Sequence, residues 1–305
     1  YSTLSSLRFC FISSCVRGIM RAMQRVVRTS DPLVQELFKL ASRSDVRGSK
    51  KRCVVAGTKL VQELGRRHTF HELLMPESEA EQEAASKLHA TERHIADARS
   101  LRRIARLSSF EGLVATVDLP QPLRVQEAVD PRLVLALDYI EDPGLLGTLL
   151  RAAWAFEWQA VFFLPNCVDP FHPKCIRASQ GALFEVPFFK GKVEDLQKLC
   201  RRNQLSFCVS NPAGVDLGSP DYDPPPNGLA LLLREEYACP WGPPKEAFKV
   251  TIPSPPGLTD DDEGFDPRSL DVAVAGGILM HHIKHFHYPH FSPSANVASP
   301  KKRRR

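Results

Sequence analysis

The chain lacks most of the features that assign a function quickly. No apolar run among its 305 residues approaches the roughly 20 needed to cross a bilayer as a helix. Its eight cysteines (Cys10, Cys15, Cys53, Cys167, Cys175, Cys200, Cys208 and Cys239) include no C-x-x-C pair, which excludes a zinc ribbon and a dithiol redox motif. Several lie in apolar runs such as "LSFCVS", the setting of buried, reduced thiols in an intracellular protein. There is no G-x-S-x-G nucleophile elbow, so an α/β hydrolase is set aside. No internal repeat is present. Charge of one sign is not in large excess: 40 Lys and Arg face 35 Asp and Glu, a net of +5, which permits a polyanionic partner without requiring one.

Acid is missing from one stretch in particular. Residues 1–28 carry Arg8, Arg17, Arg21, Arg25 and Arg28 and no carboxylate, the composition of an organelle transit peptide or a disordered basic segment. This predicts a chloroplast or mitochondrial location. The tail "SPKKRRR", within a basic end expected to be disordered over 289–305, supports the nucleus as the alternative.

What is present reads as α/β. Residues 29–118 form a small α/β unit. In "DPLVQELFKLASR", Leu33, Val34, Leu37, Phe38 and Leu40 share one helical face behind Asp31 and Pro32, which suit a helix start. "RCVVAGTKLVQEL" reads as strand, glycine turn and helix; "TFHELLMP" and "GLVATVDLP" read as strands. A linker over 119–131 leads to residues 132–288. There "LVLALDYI", "AVFFLP", "LSFCVS", "LALLL" and "FKVTIP" are strands between helices, and "SLDVAVAGGILMHHIKHF" is a final helix with Ser269 as N-cap. Strands apolar throughout predict a parallel sheet covered by helices on both faces. "PSPPGLTDDDEGFDP", with Asp260, Asp261, Asp262 and Glu263, reads as a solvated loop rather than a metal site.

Chemistry is expected where "LVLALDYIEDPGLLGTLLRAAWAF" passes from strand to helix. The carboxyl edge of an open α/β sheet is where ligands bind. Gly147 leaves room for a close approach, and Arg151, one turn later, offers a guanidinium to a phosphate or ribose oxygen. The bland alternative is an arginine snorkelling off the helix or pairing with a nearby carboxylate such as Glu141. Further on, Lys174 and Arg177 lie three apart in "CVDPFHPKCIRASQGALFEVPFF", suited to a nucleic-acid backbone or to a plain solvated face. His281 and His285 sit one helical turn apart, but no carboxylate or cysteine nearby completes a metal site, so none is expected.

These spaced motifs, D-P-x-x-x-G-x-x-x-R-x-A followed by D-P-F-x-x-K-x-x-R-A-S-x-G-A, then "VTIP" and "SLDVAVAGGIL", resemble the SpoU/TrmH family of RNA ribose methyltransferases. The likeness covers about residues 29–286, and the stretch from Ser30 to Leu64 is similar to that family's small substrate-recognition domain. The resemblance implies a C-terminal trefoil knot, S-adenosyl-L-methionine as cofactor, a homodimer, and methylation of a ribose 2′-hydroxyl in tRNA or rRNA. It places the catalytic arginine on Arg151 and the cofactor contacts on Leu233, Arg234, Ile252, Ser269, Leu270 and Asp271. Lys50, Lys51, Arg52, Arg66 and Arg67, with Lys174 and Arg177, would meet the RNA. The chain differs from the family pattern in carrying Leu145 for an asparagine, "LLREEY" for the G-N-E-G turn, and Asp271 for the asparagine of S-L-N. Those differences define the alternative function: an RNA-binding relative that keeps fold and dimer without methyl transfer.

Overall fold

The computed structural model describes residues 25–127, 130–220, 222–234, 247–252 and 270–291. The chain divides into two compact units between Leu119 and Pro120.

In the first unit the strands β1 (Arg25–Val27), β2 (Arg52–Ala56), β3 (Phe70–Met75), β4 (Ala90–Ala96) and β5 (Val114–Asp118) form a sheet of order β1-β4-β3-β5-β2. β1, β4 and β3 are mutually parallel neighbours; β5 runs antiparallel to both β3 and β2. Helix α1 (Pro32–Ser42) starts as expected: Leu33 N donates to Asp31 Oδ1 at 2.9 Å, and Pro32 occupies the first turn. Its buried stripe is Val34, Leu37, Leu40 and Ala41. Leu33 packs at the margin of that core, and Phe38 is half-buried, its ring facing the Arg103 guanidinium at 4.8 Å. After α2 (Ser44–Lys50) and β2, Gly57 turns the chain at φ +120°, a conformation side chains resist, into α3 (Thr58–Gly65).

Several elements of this unit, α2 among them, carry no signal in the sequence. Helix α4 (Glu79–Ser86) is polar, with only Ala85 buried; α5 (Ala98–Ala105) is rich in arginine. β4 reads "ATERHIA", yet it lies between two strands, with Arg93 donating to the Ala85 and Leu88 carbonyls. The segment 1–28 also needs correction at its end. β1 lies inside it, pairs with His94–Ala96, and buries Val27 completely, because its backbone completes the sheet edge.

The second unit holds the expected parallel sheet. β6 (Leu133–Asp138), β7 (Ala160–Phe163), β8 (Phe188–Lys190), β9 (Ser206–Asp216), β10 (Leu229–Arg234) and β11 (Phe248–Thr251) take the order β11-β9-β10-β6-β7-β8, every described pair parallel. β6 is buried at all six positions, as a strand covered on both faces must be. Helices α6 (Pro143–Ala155), α7 (Pro173–Ala178), α8 (Val193–Asn203) and α9 (Val272–His282) connect or cover it. The linker is more structured than expected: Leu123 N donates to Phe188 O at 2.8 Å, and Leu123 bridges Phe189 in parallel, extending the sheet edge beyond β8.

The last helix differs from expectation at both ends. Its N-cap is Asp271, whose Oδ1 accepts from Ala273 N at 2.8 Å; Ser269 lies outside the described residues. A carboxylate one residue before the helix reaches the free N–H groups, so the N-cap falls two residues later than Ser269 would have it. At its far end the backbone widens into a π-helix over Ile283–His287. Gly276 lets α9 settle closely: a Cβ there would lie 2.5 Å from Leu233 Cδ1 and 2.7 Å from Leu149 Cδ2. Trp158 Nε1 donates to Met280 O at 3.2 Å, and buried Lys284 pairs with Glu157 at 3.3 Å.

Candidate active site at the carboxyl edge of the parallel sheet

Because all described strands of the second sheet run the same way, their carboxyl ends share one edge. Register places Arg234 opposite Asp138 and Leu233 opposite Leu137, while Thr251 stands opposite Asp216. Asp138 is buried and accepts from Asn166 Nδ2 at 3.1 Å. Tyr139 then takes φ +52°, which turns the chain out of β6 toward α6.

Asp142 organises that entry. Its Oδ1 accepts from Gly144 N at 2.7 Å and Leu145 N at 2.8 Å, and its Oδ2 accepts from Lys174 Nζ at 2.6 Å. The lysine contact first, then these amides, hold the Asp142 carboxyl below its ordinary range. Lys174, read as an RNA contact, thus ties α7 to the cap of α6 while staying half-exposed. Arg177 is half-buried on the same short helix, and burial lowers its pKa.

Gly147 serves the fold, which corrects the expectation that its bareness admits a ligand. A Cβ at Gly147 would lie 2.6 Å from both Ala178 Cβ and the Cys175 carbonyl oxygen, so the glycine admits α7. Arg151, one turn on, is exposed and makes no hydrogen bond or ion pair with a described residue; Glu141 does not engage it. The neighbouring Leu149 carries α6 onto Gly276 of α9.

The residues expected around a cofactor come from three chain segments that end at this edge or start there. Leu233 is fully buried under Gly276, so its side chain belongs to the core. Arg234 ends β10 and Ile252 follows β11, both partly buried; Leu270 is half-exposed and Asp271 exposed at the start of α9. Ser269, Glu235, Glu236, the loop 254–268 and its acidic cluster lie outside the described residues.

In the first unit, β2 and β3 point the same way, both antiparallel to β5. Lys50, Lys51 and Arg52 before and at the start of β2, and Arg66 and Arg67 before β3, therefore sit at one sheet edge. Three of them are in ion pairs: Lys50–Glu36 at 2.6 Å, Arg52–Glu72 at 3.1 Å and Arg66–Glu63 at 2.9 Å. The Lys50–Glu36 and Arg66–Glu63 pairs are exposed and contribute at most about 1 kcal/mol each, whereas Glu72 of the Arg52 pair is largely buried.

The thiols of the described residues are chemically quiet. Cys53, Cys175, Cys200 and Cys208 are buried, and burial pushes Cys167 and Cys200 up to about 12. His281 and His285 approach to 4.5 Å between ring centroids, with Phe156 edge-on to both. Among the described residues no group of three or more His, Cys, Asp or Glu side chains is placed to hold a metal ion.

One surface carries no signal in the sequence. Leu270, Val274 and Ile278 are exposed by 50, 51 and 44%, and their spacing of four forms a stripe along α9. Trp154 of α6 and Phe286 are exposed as well. The helix is apolar nearly all round, so periodicity gave no sign of which side stays uncovered.

Comparison with known proteins bears on this unit directly. The family profile for SpoU rRNA methylases matches residues 132–241. A tRNA/rRNA methyltransferase of Synechocystis, itself uncharacterized, is 29% identical over 273 residues, covering 85% of this chain and 93% of that protein. The 23S rRNA (guanosine(2553)-2′-O)-methyltransferase of Bacillus subtilis is 31% identical over 162 residues, 50% of this chain and 58% of that one. Among solved structures, a TrmH-family protein from Porphyromonas gingivalis superposes with a TM-score of 0.65 at 27% identity, covering 82% of this chain and 95% of that one. An AdoMet-bound rRNA methyltransferase from Sinorhizobium meliloti gives a TM-score of 0.68 at 22% identity, covering 86% and 98%, and shares the fold.

Proposed function

We propose, for a chain that belongs to the SpoU/TrmH family, methylation of RNA at a ribose 2′-hydroxyl, with S-adenosyl-L-methionine as methyl donor. The observation that carries this reading is Arg151: an exposed guanidinium with no described internal partner, on the helix that leaves the carboxyl edge, within the matched span. The Bacillus subtilis relative is a ribose methyltransferase by name, which supports the 2′-hydroxyl as target.

The donor set at the edge fits an adenosyl ligand. Ile252 and Leu270 offer part-exposed apolar surface to a purine face, and Asp271 offers a carboxylate compatible with a sulfonium charge. Leu233 contributes through its backbone, its side chain being spent on α9. When bound, the cofactor supplies an activated methyl on a good leaving group. The protein's part is electrostatic and positional. A 2′-hydroxyl is a weak nucleophile at neutral pH, and Arg151 stabilises the negative charge that develops on its oxygen. The Asp142–Lys174 tie and the close seating of Gly147 hold α6, and with it Arg151, in one place. Leu145 has no polar side chain, and its N–H is taken by Asp142, so nothing at that position orients the ribose.

The reading extends to a trefoil knot and a homodimer. The return of α9 from edge strand β11 to Leu233 and Leu149 supports the threading, and the uncovered stripe Leu270–Val274–Ile278 supports a second copy. Incubation with methyl-labelled S-adenosylmethionine and total tRNA or rRNA tests the activity. Label should enter RNA at a ribose, read as a phosphodiester that resists alkaline hydrolysis. Label confined to bases, or RNA binding with no label at all, would contradict the proposal.

A further inference from the structure

A cleft of about 510 Å³ opens in the second unit beside the linker, lined by Gln121, Pro122, Arg124, Lys190 and Lys198 with Asp195. Arg124, Lys190 and Lys198 line it together with the Asp195 carboxylate, and Lys190 Nζ also lies over the Phe171 and Phe188 rings. That carboxylate is already engaged: Asp195 Oδ2 accepts from Lys192 N at 3.2 Å, and its Oδ1 accepts from Lys198 Nζ at 3.0 Å. Its pKa is accordingly lowered, chiefly by Lys198. The positive side chains come from separate segments. Arg124 follows the Leu123–Phe189 bridge, Lys190 ends β8, and Lys198 stands on the second turn of α8. Arg202 of α8 holds the Val125 carbonyl, which pins the linker wall in place.

Position gives the cleft its meaning. Lys190 is the carboxyl end of β8, and Leu123 runs parallel to that strand, so Arg124 reaches the same edge of the sheet. That edge also carries the ends of β6 and β10. β8 stands three strands from β10, roughly 14 Å at the usual interstrand spacing. α8 covers the face of the sheet that carries Val134, Ala136 and Leu232, and α6 the face that carries Leu233, so a polynucleotide touching both the cleft and Arg151's helix crosses over this edge.

We propose that the cleft is a second RNA contact, in which Arg124, Lys190 and Lys198 hold the sugar–phosphate backbone of the strand flanking the methylated nucleotide. Apolar Pro122 and the amides of Gln121 and Gln126 also line it, offering a base a surface and hydrogen-bonding groups. This inference rests on the proposed RNA methyl transfer, and its test separates the two. Binding of a single-stranded oligoribonucleotide that the wild-type chain methylates is followed by fluorescence anisotropy from 50 to 300 mM salt. The comparison is with Lys190→Ala/Lys198→Ala and the charge-keeping Lys190→Arg/Lys198→Arg. The alanine pair should weaken binding about 10-fold at low salt and reduce the salt slope by about 1.4, the value for two single-strand phosphate contacts. The arginine pair should restore both, and S-adenosylmethionine affinity should be unchanged throughout. Equal slopes and affinities for all three proteins would overturn the cleft and leave methyl transfer standing. No RNA binding or methylation by the wild type would overturn both.

Discussion

At the scale of the residue, the decisive contrast is between Gly147 and Arg151, one helical turn apart. The spacing was visible in the sequence, but the purpose of the glycine was not. A missing side chain admits a ligand or a neighbouring helix equally, and only the position of Ala178 and the Cys175 carbonyl shows that it admits a helix. Arg151 has no such structural employment, which makes its removal informative. Arg151→Ala should lower kcat for RNA methylation by about 10² to 10³, the usual cost of losing one donor aimed at developing negative charge. RNA affinity should change by less than a few-fold, and stability by about 0.5 kcal/mol or less, since the side chain is exposed. Single-turnover kinetics beside thermal melts would check this; unchanged turnover would remove Arg151 from the mechanism. Leu233 teaches the converse lesson. Motif position marked it for the cofactor, but its side chain is covered by Gly276, a contact between residues 43 apart that no local pattern announces.

At the scale of the element, legibility followed burial. β6, β10 and α1 were plain because their apolar residues are continuous or fall at helical spacing and all face a core. β4 and α4 were invisible because their polar side chains are satisfied by tertiary contacts, as in the Arg93 contacts to carbonyls, rather than by a pattern. The cap of α6 was legible as D-P, whereas its second role, binding Lys174 across to α7, was not. That role predicts a pH dependence. The Asp142 carboxyl titrates below its unfolded value of about 4. Its contribution to stability is therefore fully present above about pH 4 and is lost as pH falls through the depressed folded value. An Asp142→Asn variant keeps a side chain that caps the helix but does not titrate. Melting temperatures from pH 2.5 to 6 should fall less steeply for the variant than for the wild type; parallel curves would show that Lys174 does not hold the carboxylate in solution.

At the scale of the whole molecule, the alternation of strand and helix in the second unit announced the parallel sheet, and so the edge proposed to bind a ligand. The exposed stripe of α9 was not announced, and it makes the proposed homodimer testable. Sedimentation should give a particle near twice 34.1 kDa, and Val274→Asp with Ile278→Asp should shift it toward the monomer. A wild-type monomer at micromolar concentration would leave the stripe for some other partner. The central claim is that the carboxyl edge, with "LLREEY" in place of a glycine-rich turn and Asp271 before α9, still accepts a methyl donor. Isothermal calorimetry with S-adenosylmethionine tests that claim most directly. The account predicts saturable binding at one site per chain with micromolar affinity. Absence of heat up to millimolar cofactor, from protein that is folded and binds RNA, would contradict it.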